Sequence, residues 1–239
     1  MSSKPLTAIV IGGSVGGLAA AIMLRRQGWT VDIYERANVD LVNRGAGIAT
    51  QDLLYDALNN AGVELREEMG VHSQGRIMFN HNGDVIGTHP MEQTMTSWGM
   101  IYRFLKKQIP DANYHFGHSL SALEQEPNGV RVQFENGQTA AADWLIGADG
   151  PHSTVRKILA PEISLQYCGY FLWRGLIDET LIHSEVLEQI AHRLMFNMAP
   201  GGHSVGYLVA GPGDSMEPGT RWYNWGWYRT APIETLQDH

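Results

Sequence analysis

Six residues near the amino terminus, Gly12-Gly13-Ser14-Val15-Gly16-Gly17, and a carboxylate eighteen residues past them, Glu35, are spaced for dinucleotide chemistry. Gly12 permits a tight turn out of a strand, Ser14 is small enough for the backbone to approach a pyrophosphate, and Gly17 lets a helix pack closely on that strand. The N–H groups at the helix start have the helix dipole behind them and suit a phosphate charge. Glu35 suits ribose hydroxyls and repels a 2′-phosphate, which favours an adenosine without one. A second polar cluster lies at Gly147-Ala148-Asp149-Gly150, followed by Ser153 and Arg156. Other chemistry is not patterned. The histidines lack metal-ligand spacing, His72, His81 and His89 fall in turn-like pieces, Cys168 stands alone, and neither Ser14 nor Ser153 has a His/Asp pattern for nucleophilic catalysis.

The elements that must position these groups can be read around them. Thr7 to Ile11 is a short β-branched apolar run, which suits a strand buried on both faces of a parallel sheet. Leu18 to Gln27 reads as a helix that stops at Gly28, and Thr30 to Tyr34 as a second strand ending on Glu35. Together they make a βαβ unit of about 30 residues. Gly129 to Thr139 reads as a hairpin with an Asn136-Gly137 turn. The short apolar strand that follows places Asp149 at its carboxyl end, where ligands bind in open α/β sheets, and a helix then runs through Arg156 and Lys157. By itself, the glycine fingerprint leaves both a nicotinamide-dependent dehydrogenase and a flavoprotein open.

Composition narrows the classes. The 239 residues are 44% hydrophobic and 18% charged, ordinary values for a folded chain with ample core material. Lys and Arg number 17 against 25 Asp and Glu, a net charge of −8, so no electrostatic footprint for nucleic acid exists. The apolar runs at 6–11 and 18–24 are broken by four glycines, and their stronger positive charge, Arg25-Arg26, comes after rather than before them. That order does not fit a signal peptide, and no run approaches the ~20 apolar residues of a membrane span. A cytoplasmic chain with no membrane partner is expected.

The motifs in order resemble the FAD-dependent aromatic hydroxylases, the single-component flavoprotein monooxygenases, and within them the 2,6-dihydroxypyridine 3-monooxygenase branch. The resemblance rests on Gly12 to Leu18, Tyr34-Glu35-Arg36, and Gly45-Ala46-Gly47-Ile48 with Gln51. Ser97-Trp98 with Tyr102-Arg103, the Gly147-to-Arg156 run, and Gly169-Tyr170 with Trp173-Arg174-Gly175 complete it. It implies that Gly12, Ser14, Val15, Gly16 and Gly17 cradle the FAD pyrophosphate, that Glu35 holds the adenosine ribose, and that Arg36 flanks the adenine. Gly47 and Ile48 would run beside the isoalloxazine ring with Arg44 close by, and Gln51 and Arg103 would reach the ribityl-pyrophosphate region. Leu120 would contact adenine through its backbone, while Asp149 and Gly150 serve FAD and the passing nicotinamide cofactor. Plainer readings stand beside these: Arg36 and Arg44 as solvent-facing cations, Gln51 as a helix-start residue, Asp149 as a turn former. The activity implied is hydroxylation of an aromatic or N-heteroaromatic ring with NADH (or NADPH) and dioxygen through a flavin C4a-hydroperoxide. No residue is forced by pattern into an acid–base role; His203 and Tyr207 are the candidate polar groups for a ring substrate. A homodimer is left open.

Two departures matter. The family carries a third, downstream Gly-Asp fingerprint, and no Gly-Asp-Ala segment occurs here, so the chain is expected to be the front part of a family member. Relatives tend to have Tyr-Pro-Ile-Pro-Gly where this chain has Tyr207-Leu208-Val209-Ala210-Gly211, which puts local rigidity in doubt. From Gly169 the chain turns aromatic, and strand alternation places Tyr223, Trp225 and Trp227 on one packing face that could also roof a flat ring. The expected fold is α/β: a Rossmann-type FAD-binding domain over 1–165, with 71–96 contributing to the substrate side, and an incomplete β-rich substrate domain over 166–239. The rival functions are a nicotinamide-dependent dehydrogenase and a non-catalytic, truncated flavin-binding fragment.

Overall fold

The computed structural model describes residues 4–42, 46–62 and 69–237. Its elements run β1 (Thr7–Ile11), α1 (Val15–Arg26), β2 (Thr30–Tyr34), β3 (Gly47–Ala49), α2 (Asp52–Asn60), β4 (Val71–Phe79), β5 (Val85–Ser97), α3 (Trp98–Lys106), β6 (Tyr114–His115) and β7 (Leu120–Glu126). Then follow β8 (Gly129–Phe134), β9 (Thr139–Ala142), β10 (Trp144–Gly147), α4 (Thr154–Leu159), β11 (Tyr170–Asp178), α5 (Ser184–Ile190), β12 (Arg193–Ala199), β13 (Gly202–Val209), β14 (Trp222–Thr230) and α6 (Glu234–Gln237). Among the described residues no helix is long and apolar enough to cross a membrane.

The chain divides into two compact units, 1–44 with 56–64 and 101–165, and 45–55 with 65–100 and 166–239. The division expected from the sequence is 1–165, with 71–96 contributing to the substrate side, and 166–239. Residues 45–55 and 65–100 join the later part of the chain because β3, β4 and β5 hydrogen-bond into its sheet.

In the first unit, β10-β1-β2-β6 form a parallel sheet. The apolar run of β1 is buried along Ala8 to Ile11, as a strand covered on both faces must be. Helix α1 buries Gly17, Leu18, Ala21 and Ile22, a spacing that lines one helical face. It begins at Val15, three residues before the apolar run suggests, because Ser14 is the last extended residue (φ −76°, ψ −177°). Strands β7-β8-β9 form a separate antiparallel sheet whose Val130, Val132 and Phe134 pack with Ile9, Ile11 and Leu120. Its Asn136-Gly137 turn is not the two-residue type. Gly137 N donates to Phe134 O and only Gly137 is left-handed (φ +83°), a three-residue loop closed by a glycine bulge.

The second unit is a seven-stranded sheet ordered β11-β14-β13-β12-β4-β5-β3, antiparallel except where β12 runs parallel to β4. His72 and His89 lie within β4 and β5 rather than in turns, since pairing across the β4–β5 ladder, His72 with Thr94 and His89 with Arg76, sets their conformation. Strand β13 pairs with β14 without interruption to Val209, and Leu208 is buried. Tyr223 and Trp225 pack in one cluster with Val71, Ile190 and Leu208, whereas Trp227, on the same strand face, is exposed. Helix α5 supplies Ile190 to that cluster.

A buried ion pair ties the residue after β11, Glu179, to the residue before β14, Arg221. Glu179 accepts from the Arg221 guanidinium through both carboxylate oxygens, at 2.7–3.1 Å, and Oε1 also accepts from the backbone N of Arg221 (3.0 Å) and Gly219 (2.6 Å).

Candidate functional site

The turn from β1 into α1 is fixed by contacts that admit no side chain. Gly12 adopts φ +103°, where L-residues are strained, and a Cβ there would lie 2.3 Å from Ala148 O. At Gly17 a Cβ would lie 1.9 Å from Gly12 O, so the helix can approach the strand this closely only through glycine. Gly16 is exposed, with open space where a Cβ would stand. The first turn of α1 holds no acidic residue, and Ser14 makes no side-chain cap. Among the described residues its first-turn amides are thus not capped by a side chain of their own turn, which fits a phosphate.

Glu35 follows β2 directly and is 6% exposed. Its Oε2 accepts from Gly13 N at 2.8 Å and its Oε1 from Ala37 N at 2.9 Å. Each carboxylate oxygen has a second lone pair, so ribose hydroxyls could still be accepted. Arg36 is exposed beside it, and Leu120 is buried and paired with Phe134.

The second turn sits next to the first because β10 and β1 are neighbouring parallel strands, with Ile11 opposite Gly147 and Ala148 N donating to Ile11 O at 2.7 Å. Both turns thus leave the carboxyl ends of adjacent strands, the ligand-binding edge of such sheets. Asp149 is committed to its own turn. Its Oδ1 accepts from Ser153 Oγ (2.5 Å), and its Oδ2 from the backbone N of Thr154 (2.6 Å) and Val155 (3.2 Å). Ser153 Oγ in turn accepts from Arg156 N at 2.9 Å and caps α4. Gly150 is left-handed (φ +81°) and exposed.

Arg103, half-buried, lines an open groove of about 480 Å³ with Asp40, Lys106, Lys107 and Asp111, where Lys106 pairs with Asp111 at 3.0 Å. Arg44 and Gly45 lie outside the described residues.

In the second unit Gln51 stands just before α2 and its carbonyl accepts from Leu54 N and Tyr55 N, so it begins the helix. It also lines a cavity of about 520 Å³ with Asp52, Tyr55, His72 and Thr94. Gly47 and Ile48 pair with Ser97 and Thr96 of β5. A Cβ on Gly47 would meet Tyr207 Cε2 at 2.6 Å and Asn224 Cγ at 2.8 Å, and Asn224 Oδ1 accepts from Gly47 N at 3.0 Å. Burial, and secondarily the Tyr228 phenol, push the Tyr207 phenol up to about 12, so it stays a neutral hydroxyl. His203 shares the Tyr207 face of β13 by alternation and stacks on Tyr228 with ring centroids 4.8 Å apart.

Two contributors escape a reading of motifs, Tyr114 and Asn224. Asn224 had a signal: it is the polar residue in the aromatic run Trp222-Tyr223-Asn224-Trp225, and it is buried. Tyr114, whose hydroxyl donates to Gly13 O at 2.8 Å, had none.

Comparison with known proteins accords with this geometry. The family description "FAD binding domain" matches residues 6–231. The chain is similar to 2,6-dihydroxypyridine 3-monooxygenase of Paenarthrobacter nicotinovorans, with 34% identity over 218 residues, covering 91% of this chain and 54% of that protein. It is similar also to aurachin C monooxygenase/isomerase of Stigmatella aurantiaca, with 31% identity over 217 residues, 86% of this chain and 56% of that protein. Among solved structures, 2,6-dihydroxypyridine-3-hydroxylase from Arthrobacter nicotinovorans superimposes with a TM-score of 0.87 at 32% identity, covering 97% of this chain and 58% of that one. The chain spans about half the length of the curated relatives it matches. On these grounds the chain belongs to the FAD-binding family that the flavin-dependent aromatic monooxygenases share.

Proposed function

We propose that this chain is the FAD-holding part of a monooxygenase that hydroxylates an aromatic or N-heteroaromatic ring, using dioxygen and a reduced nicotinamide, NADH in the first instance and NADPH as the alternative. The observation that carries the reading is the pair of adjacent turns at the ends of β1 and β10, with Glu35 bonded to the first, in a chain similar to 2,6-dihydroxypyridine 3-monooxygenase. In the first unit, the Gly12–Gly17 turn and the start of α1 would hold the pyrophosphate, Glu35 the ribose, and Arg103 would balance phosphate charge. Arg36, Leu120, Asp149 and Gly150 would complete the adenosine and turn contacts. In the second unit, Gly47, Ile48 and Gln51 are assigned to the flavin side, and His203 and Tyr207 to hydrogen bonds with a ring hydroxyl. Bound FAD would supply hydride acceptance and dioxygen activation; the protein's share is position and exclusion of water.

The test is direct. The purified chain should elute yellow from gel filtration, and hydroxypyridines or phenols should stimulate its NADH and dioxygen consumption with one hydroxylated product per dioxygen. A second reading is flavin binding without turnover. It predicts retained flavin and no substrate-stimulated consumption. A colourless chain that oxidises or reduces nicotinamide with a substrate would point instead to a dehydrogenase.

A further inference from the structure

We propose that Tyr114 is a positioning residue for the pyrophosphate turn: its hydroxyl holds the Gly13 carbonyl inward and so aims the Ser14 N–H outward, toward phosphate. The inference rests on the flavin reading above and deepens it. It starts from one peptide plane. The Gly13–Ser14 bond is trans, so its C=O and N–H point in opposite directions. The inward end is pinned by Tyr114 Oη, which donates to Gly13 O at 2.8 Å. The preceding amide is pinned as well, since Gly13 N donates to Glu35 Oε2 at 2.8 Å. Gly13 is therefore clamped at both ends by buried side chains, and the amide left to face out is that of Ser14, at the mouth of α1.

Tyr114 is itself held. Strand β6 pairs in parallel with β2, placing Tyr114 opposite Ile33, and Lys106 Nζ stands 4.6 Å from the ring centroid. The Phe116 ring lies 4.7 Å away, and the Tyr102 hydroxyl 3.4 Å from that of Tyr114. A phenol carries one proton. It goes to Gly13 O, the shorter of the two contacts. Burial, foremost, raises the Tyr114 phenol well above its ordinary range, so it remains a donor at every working pH. The fit also explains why position 13 must be glycine, since a Cβ there would lie 2.1 Å from the Tyr114 oxygen.

Tyr114→Phe removes the hydroxyl alone. The full chain, freed of flavin, is titrated with FAD by flavin fluorescence and with ADP and adenosine by competition. The variant should bind FAD and ADP about tenfold more weakly, the scale of one well-placed hydrogen bond, with adenosine unchanged. Unchanged FAD and ADP affinity would overturn the proposal, as would an equal loss for all three ligands, the signature of general loosening. Gly13→Ala, which crowds the same hydroxyl, should reproduce the selective loss, and keeps the question decidable if Tyr114→Phe does not fold. Wild-type chain that binds neither FAD nor ADP overturns the flavin reading itself. Wild-type binding with an undiminished variant overturns only the role of Tyr114.

Discussion

The glycine turn of the first unit and the β13–β14 face of the second present polar groups by opposite means. In the turn the presented groups are backbone amides, and side chains such as Glu35 and Tyr114 act from behind to aim them. On the sheet the presented groups are side chains, Tyr207, His203 and Asn224, and antiparallel register does the aiming. The difference teaches where tolerance lies. A backbone site forbids Cβ atoms, so it writes itself into the sequence as glycines. A side-chain site depends on pairing, such as that of Gly47 with Asn224, 177 positions apart in the chain.

The sharpest way to break the sheet region without touching the turn is Glu179→Ala. It leaves the buried Arg221 guanidinium unpaired and should cost about 3–5 kcal/mol in urea unfolding, with the first unit's ligand contacts intact. Burial pushes the Glu179 carboxyl up, but the bonds from Arg221 and Gly219 outweigh it and hold the group below its ordinary value. Its contribution is therefore complete above the unfolded carboxylate range and is lost as pH falls through the lowered folded value. Wild type should lose stability steeply below about pH 4, and Glu179→Gln should lack that component.

Gly12→Ala attacks the turn. A left-handed alanine with its Cβ 2.3 Å from Ala148 O should cost about 3 kcal/mol and abolish flavin retention on gel filtration. Wild-type stability in this variant would mean that the two turns are not held as described. Asn224→Ala should cost about 2 kcal/mol, since it leaves the Gly47 N–H without its acceptor, and should leave ADP affinity unchanged. The smallest effect belongs to Tyr223→Phe. The Tyr223 hydroxyl is buried without a partner among the described residues, so its removal should leave the melting temperature unchanged or slightly raised; a marked drop would reveal a hydrogen bond at that hydroxyl.

The two regions were unequally legible. The βαβ unit, Glu35 and the strand into Gly147-Ala148-Asp149-Gly150 could be read because each signal is local: a run, a turn and a spacing. The start of α1 at Val15 was missed, since extended backbone at Ser14 carries no residue signature of its own. The order of the seven-stranded sheet was not readable, because β12 joins β4 from more than a hundred residues away and only tertiary packing selects that partner. Asp149 could be read both as a cofactor residue and as a turn former; its bonds to Ser153 and Thr154 are turn chemistry that spacing alone does not separate from a ligand role. Tyr114 sits in a two-residue strand, too short for any periodicity to mark it.

The central claim is that the turn after β1, backed by Glu35, grips the adenosine and pyrophosphate of FAD. Its most direct measurement is a fluorescence titration of the flavin-free chain with FAD, run beside Glu35→Gln. The account predicts saturable one-to-one binding by wild type and a loss of at least about tenfold in the variant, which weakens the Gly13 anchor and the ribose acceptor together. Absence of saturable binding by wild type, or equal affinity in both proteins, would contradict it.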